Sequence, residues 1–389
     1  MLSTCNTVGP VPDGTRLEKI KQSPNYRGDQ FVNRIPVVDP PLFKTLVEWF
    51  KGGEQTTPNE PVSILKRTTE DFSEFPASGL RITWMGHSTT LVEIDGYRLL
   101  LDPVWSSKVP PYPLVGVKRF SELPLALEEL PPIDGVLVSH DHFDHLDRAT
   151  IEKLAGKVPR FIVPLGVGAR LEKWGVSEDQ IVEMDWWQQT RLGDLTITAT
   201  PARHFSGRSA IMSDRNKTLW SGFAIRSSDH NVYYSGDTGM FDGFTDIGEK
   251  LGPFDVSLIE VGAYNQLWAD VHLGPEQALQ AFQQVRGGLF MPVHWSTFDL
   301  AMHSWTEPVE RVMAAAELRG IPLAIPKPGE SIEPSSPPEV AKWWPDGPWK
   351  TVEQQPVISS GLKAQASNGV TQPEQIVAGN LPHKTITHN

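Results

Sequence analysis

The stretch Ser139-His140-Asp141-His142-Phe143-Asp144-His145 sets three imidazoles and two carboxylates within six consecutive positions. Such a cluster is unfavourable to fold around, because a charge buried without a partner costs on the order of several kcal/mol. A bound metal, a catalytic dyad or a wet surface loop would each account for it.

His140 and His142 directly follow the apolar run "GVLVS", which has the length and composition of a short buried strand. On a continuing strand those two side chains would share a face, but Asp144 and His145 could not both join them. A tight loop leading into a helix near Leu146 can turn all four inward. Four ligand-type side chains from one loop suit two metal ions rather than one. Further donors stand at the ends of other predicted strands: His204 after "LTITATPAR", Asp237 after "NVYYSG" and His294 after "LFMPV". The set then closes, with His140, His142 and His204 for one ion, Asp144, His145 and His294 for the other, and Asp237 between them. Nitrogen and oxygen donors alone suit two zinc ions per chain, with manganese or iron as the less favoured alternatives. An isolated His-x-His reads as a His-rich surface loop; the same motif at a strand end, with three more strand-end donors, does not. Of the other histidines, His87 in "GHST" reads as a structural or supporting residue. His230, His303, His383 and His388 read as packing or solvent-facing ones.

The elements that must position these donors are visible in the patterning. "LRITWMGHSTTLVEI" and "YRLLLDPVW" read as strands joined at Asp95-Gly96, and further strands fall at "GVLVSH", "RFIVPLG", "LTITATPARH", "LWSGFAIRS", "NVYYSGD", "VSLIEVG" and "GLFMPVHW". Helical stretches lie between them at 147–155, 169–174 and 275–285. This order fits two mixed sheets with helices outside, an α/β arrangement, better than one doubly wound parallel sheet. Residues 1–78 form an N-terminal extension. Its one amphipathic helix, "PPLFKTLVEWFK", carries Leu42, Phe43, Leu46, Val47 and Phe50 on one face, expected to dock on the main body or to lie at a substrate entrance or membrane contact. A catalytic domain spans 79–332. Residues 333–389 form a C-terminal extension, largely disordered, with the group Trp343, Trp344 and Trp349 expected to dock.

Bulk composition excludes several classes. The chain of 389 residues has a net charge of -12, so no excess of basic side chains exists to bind nucleic acid. Its only cysteine, Cys5, allows no internal disulfide and no thiolate cluster. The N-terminus lacks the apolar region of a secretory signal, and no run approaches the roughly 20 apolar residues that span a bilayer. A cytoplasmic protein, not secreted, is expected.

"SHDHFDH" with His204, "SGDTG" and "PVHW" resembles the metallo-β-lactamase superfamily over about residues 80–330. The resemblance implies a four-layer αβ/βα sandwich with two metals at one edge of the facing sheets. "GHSTTLVEIDGYRLLLDPVWSS", "GVKRFSELP", "NKTLWSGF", "HLGPEQAL" and "PVHWSTFDLA" further resemble N-acyl-phosphatidylethanolamine-hydrolysing phospholipases D and their bacterial relatives. The histidine loop departs from the mammalian-type pattern, with Asp141 and Phe143 where that pattern has Asn and Tyr. The resemblance implies a phosphodiesterase that releases N-acylethanolamine and leaves phosphatidic acid. In it Asp144 would both ligate and orient the attacking water, and His272 in "DVHLGPEQA" would help position the head group. His272 reads equally well as a structural residue at a helix N-terminus. A phospholipid or other phosphodiester is the implied substrate, with peripheral membrane contact and a homodimer both compatible. A hydrolase of a small phosphate ester or lactone, and a non-catalytic regulator on the same fold, are the competing expectations.

Overall fold

The computed structural model describes residues 8–110 and 116–362. Leu80–Gly86 (β1), Thr89–Ile94 (β2) and Tyr97–Leu101 (β3) form an antiparallel meander. The sequence predicts one strand through 80–94. The chain instead reverses at His87, whose φ of 54° is left-handed, so the tight turn aims that imidazole off the sheet end. The turn expected at Asp95-Gly96 is present, with φ of 45° and 85°. Beyond β3 the sheet continues in parallel through Gly135–Leu137 (β4), Phe161–Pro164 (β5) and Ile181–Met184 (β6).

A second sheet holds Gln189–Leu192 (β7), Leu195–Thr200 (β8), Gly222–Arg226 (β9), Asn231–Tyr234 (β10), Phe254–Glu260 (β11) and Gly287–Val293 (β12). Its first four strands are antiparallel and its last two join in parallel, so both sheets are mixed. The last strand, Ser331–Ile332 (β13), returns to the first sheet beside β1.

The helices described are Gly14–Ile20 (α1), Leu42–Lys51 (α2), Arg148–Leu154 (α3), Gly168–Lys173 (α4), Gly243–Leu251 (α5), Pro275–Gln284 (α6) and Glu307–Arg319 (α7). Local chemistry starts and stops them. The Asp147 carboxylate accepts from Ala149 N at 3.3 Å to cap α3, Pro275 opens α6, and Gly320 at φ 62° ends α7.

Strand alternation divides the apolar side chains between layers. On β2 and β3, Leu91 and Leu100 face α3 and α4 together with Val136, Ile151 and Leu171. Their neighbours Val92, Leu99 and Leu101 face the opposite sheet, where they meet Ile197, Phe223 and Ile225. Every residue of β2 is buried, as expected for a sheet covered on both faces. Phe244, Leu279, Phe282 and Val312 of α5, α6 and α7 cover the second sheet. The architecture is therefore the four-layer sandwich of the expected fold class.

Both extensions lie against this body. Trp343 and Trp344 dock as predicted, Trp343 meeting Trp295 at 5.3 Å between centroids and Trp344 donating to Glu310 Oε1 at 2.9 Å, but Trp349 of the same expected group stays exposed. The docked segment runs on to residue 362, with Arg203 Nη1 donating to Ser360 O at 3.0 Å. The expected disorder of 333–389 does not hold as far as residue 362, because the tail's backbone is bonded to the body there; residues 363–389 lie outside the described residues, as do Cys5, His383 and His388. Helix α2 forms where predicted, with Val47 half-buried, but Phe43, Leu46 and Phe50 of its apolar face are not docked on the body. Phe43 and Phe50 are 78% and 90% exposed. Among the described residues no helix is long and apolar enough to cross a membrane.

The two kinds of apolar residue should separate on mutation. Phe223→Ala is expected to lose about 3–5 kcal/mol of stability through the cavity it leaves. Phe50→Ala should change stability by no more than about 0.5 kcal/mol. Denaturant melts of both variants check this.

Candidate metal centre

The donors gather at one end of the sandwich because strand ends and their following loops deliver them. β4 runs into the loop with His140, His142, Asp144 and His145; β8, β10 and β12 lead to His204, Asp237 and His294. Two of these turns are sterically demanding. Gly236, just before Asp237, has φ 57°, and a Cβ there would stand 2.7 Å from Ser139 Cβ. His294 itself has φ 66°, a backbone state costly for a non-glycine residue and typical of functional sites.

All seven predicted donors converge. His142 Nδ1 lies 2.8 Å from His140 Nε2 and 3.2 Å from His204 Nε2. Two nitrogens each about 2.1 Å from one tetrahedral ion stand roughly 3.4 Å apart; the His142–His204 spacing is close to this and the His140–His142 spacing is tighter. Asp144 Oδ2 lies 3.4 Å from both His145 Nε2 and His294 Nε2. Asp237 Oδ2 occupies the middle, 3.1 Å from His145 Nε2 and His294 Nε2, 3.9 Å from His140 Nε2 and 3.8 Å from His204 Nε2. Buried His145 Nε2, His294 Nε2 and Asp237 Oδ1 have no hydrogen-bond partner. Such atoms are costly to leave unsatisfied, and divalent cations bound among them would satisfy all three. The residues therefore fit two metal ions in the predicted groups.

Electrostatics separates the two groups. Burial pushes the His140 and His204 imidazoles well down and His142 to about 4, so all three present neutral nitrogens. Burial also acts to lower His294, but Asp237 and Asp144 outweigh it and raise that imidazole to about 10. The same carboxylates raise His145 against its burial, while His145 and His294 hold Asp144 and Asp237 well below the usual carboxylate range.

Supporting contacts fix the rings. His204 Nδ1 meets Val271 O at 2.8 Å, and His145 Nδ1 meets Asp102 Oδ2 at 2.7 Å. Asp102 is fully buried and also accepts from Ser139 N at 2.6 Å and from the Tyr234 hydroxyl. His87 supports Asp144, its Nε2 lying 2.9 Å from Asp144 Oδ2. His272 Nδ1 lies 2.7 Å from the buried Glu260 Oε2, leaving its other edge on the cavity. It is thus both hydrogen-bonded structurally and available to a substrate.

Asp102 and Glu260 were not singled out from sequence. The available signal is a carboxylate at the end of a mostly apolar run, "RLLLD" and "VSLIE". Asp141 lies in the same loop as four of the donors. It is fully buried and held by Arg170 Nη2 at 2.7 Å, Thr218 Oγ1 at 2.9 Å and Gly207 N at 2.8 Å, which anchors the loop from behind. Phe143 is buried with Val104, Val109 and Phe298, and the Arg208 guanidinium lies 3.9 Å from its ring centre.

A cavity of about 400 Å³ opens over the donors. His142, Asp144, Asp237, His272 and His294 lie at its floor; Val37, Val38, Pro40, Phe205, Trp268 and Leu300 are among its walls, and Thr45 and Trp49 of α2 reach its rim. Asp102→Asn should leave a folded chain but weaken metal retention about 10- to 100-fold, because His145 loses the acceptor that fixes its ring. Competition against a chromophoric chelator measures this.

Comparison with known proteins agrees with the geometry. Residues 97–295 match the Beta-lactamase superfamily domain. The chain is 44% identical over 332 residues to an uncharacterized protein of Mycobacterium tuberculosis, covering 83% of this chain and 88% of that one. It is 34% identical over 329 residues to N-acyl-phosphatidylethanolamine-hydrolyzing phospholipase D 1 of Caenorhabditis elegans, covering 80% and 89%. Among solved structures, isothiocyanate hydrolase from Delia radicum gut bacteria matches with TM-score 0.53 at 21% identity, covering 65% of this chain and 98% of that one, a likeness of fold. With the two-sheet sandwich, the strand-end donors and these matches together, the chain belongs to the metallo-β-lactamase superfamily of metal-dependent hydrolases.

Proposed function

We propose that this metal-dependent hydrolase is a phosphodiesterase that cleaves N-acyl-phosphatidylethanolamine on the head-group side, giving N-acylethanolamine and phosphatidic acid. The observation that carries this is a donor set for two cations at the floor of an apolar-walled cavity, with Trp49 of α2 at its rim. A phospholipid needs both parts, a charged reaction centre and an apolar wall beside it. The 34% identity to the Caenorhabditis elegans phospholipase supports the same substrate class. The exposed apolar side chains of α2, Phe43, Leu46 and Phe50, support contact with a lipid surface at the cavity mouth.

His140, His142 and His204 would hold one ion, Asp144, His145 and His294 the other, and Asp237 both; zinc suits these donors best. Bound there, the ions supply Lewis acidity toward the phosphoryl oxygens and a water acidic enough to attack at neutral pH. Asp144, steadied by His87, would orient the attacking water toward phosphorus. His272, with Nδ1 on Glu260, presents its free edge to the head group. The cavity walls exclude bulk water and align the diester for in-line displacement. Phe143 in place of Tyr removes no donor from this cavity, since its ring packs with Arg208 and Phe298.

Zinc-loaded protein should release N-acylethanolamine and phosphatidic acid from N-acyl-phosphatidylethanolamine in mixed micelles. Asp237→Asn and His142→Ala should each cut the rate by more than about a hundredfold, beyond what loss of a supporting contact does, with far-UV circular dichroism unchanged. Full activity in either variant would end the assignment. Hydrolysis of water-soluble esters alone would move the substrate to a small phosphate ester or lactone.

A further inference from the structure

The reaction centre is surrounded mostly by apolar walls, yet a charged side chain reaches the same cavity. Among the described residues that line it, Arg215 is the one lysine or arginine. Its guanidinium carbon lies 5.4 Å from the centre of the Phe205 ring, and that ring meets the imidazole of His142 at 4.5 Å and of His204 at 4.9 Å. A permanent cation thus stands one aromatic ring beyond the first donor group.

Its present partner is weakly held. Arg215 Nη2 donates to Asp39 Oδ1 at 2.5 Å, and the Asp39 side chain is 61% exposed. An ion pair so open to solvent contributes little to stability. Asp39 also lines the cavity, on the segment that leads into α2. The pair therefore joins the two sides of the cavity mouth. A guanidinium binds phosphoryl oxygens through two parallel N–H groups, which one carboxylate oxygen does not match. Beside apolar walls that interaction strengthens, because less water screens it.

We propose that Arg215 is a specificity-determining residue that binds an anionic phosphoryl oxygen of the substrate, exchanging Asp39 for it. This deepens the phosphodiesterase assignment and rests on it. Asp39 acts as a competing internal anion: it holds Arg215 at the mouth in the free enzyme and lets go when substrate enters. Opposite consequences follow for the two partners. Removing the arginine weakens substrate binding, whereas removing the competing carboxylate strengthens it.

The experiment uses the full, zinc-loaded chain and compares wild type with Arg215→Gln, Arg215→Lys and Asp39→Asn. Substrates are N-acyl-phosphatidylethanolamine in mixed micelles and the soluble diester bis(4-nitrophenyl) phosphate, with inorganic phosphate as competitive inhibitor. Arg215→Gln should raise KM and the phosphate inhibition constant about tenfold or more, as loss of a charge-assisted hydrogen bond does, while kcat stays within about threefold and metal content is unchanged. Arg215→Lys should recover part of the loss, and Asp39→Asn should lower both constants. Unchanged constants in Arg215→Gln overturn the proposal. So does an equal rise in both Arg215→Gln and Asp39→Asn, which would mark the pair as a structural clasp only. If wild type cleaves the soluble diester but not the lipid, the lipid assignment fails, and Arg215 is judged on the diester and on phosphate inhibition.

Discussion

Asp237 Oδ2 is the point on which the structure turns. One buried carboxylate oxygen lies within 4 Å of five imidazole nitrogens, two from each donor group and Nδ1 of His272. No apolar core would gather such a set, and hydrogen bonds within it leave buried nitrogens unmatched. Cations held between the groups would resolve both difficulties, neutralising the carboxylates and accepting the nitrogens' lone pairs. The geometry around Asp237 follows from that requirement: a glycine at φ 57° before it, a left-handed His294, and a hairpin that reverses at His87.

The sandwich serves this point from behind. Strands buried on both faces give β4, β8, β10 and β12 rigid ends, and the donors sit where those strands stop. Rigid ends fix ligands more closely than free loops do. Beneath the histidine loop, Asp141, Arg170, Asp214 and Arg208 form a buried polar base. Arg170 bonds both carboxylates, and Arg208 donates to the carbonyls of Asp141 and Leu146 at 2.7 and 2.8 Å. The N-terminal extension is part of the same support, because Asn33 exchanges two hydrogen bonds with the backbone of His204, at 2.7 and 3.0 Å.

What could be read from the sequence follows from what each residue needs. Apolar runs such as "NVYYSG" and "GLFMPV" declare strands because burial on two faces leaves no room for polar residues, and a ligand at the end of such a run stands out. Gln189–Leu192 and Ile181–Met184 escaped because edge strands are partly exposed and carry polar side chains. Gly243–Leu251 escaped because its glycines mask the helical period. Periodicity located α2 but could not tell what its apolar face meets; Phe43, Leu46 and Phe50 on that face prove to be solvent-exposed, while Thr45 and Trp49 line the cavity. Asp102 and Glu260 act through partners far away in sequence, His145 and His272, so no local pattern marks them.

Two cations held by this constellation, with Asp237 between them, are what the proposed function requires. Anomalous diffraction at the zinc edge from crystals of the zinc-loaded protein tests this requirement most directly. Two peaks are predicted, one bounded by His140, His142 and His204 and one by Asp144, His145 and His294, each within bonding distance of Asp237. A single peak, peaks away from Asp237, or none at all would contradict it.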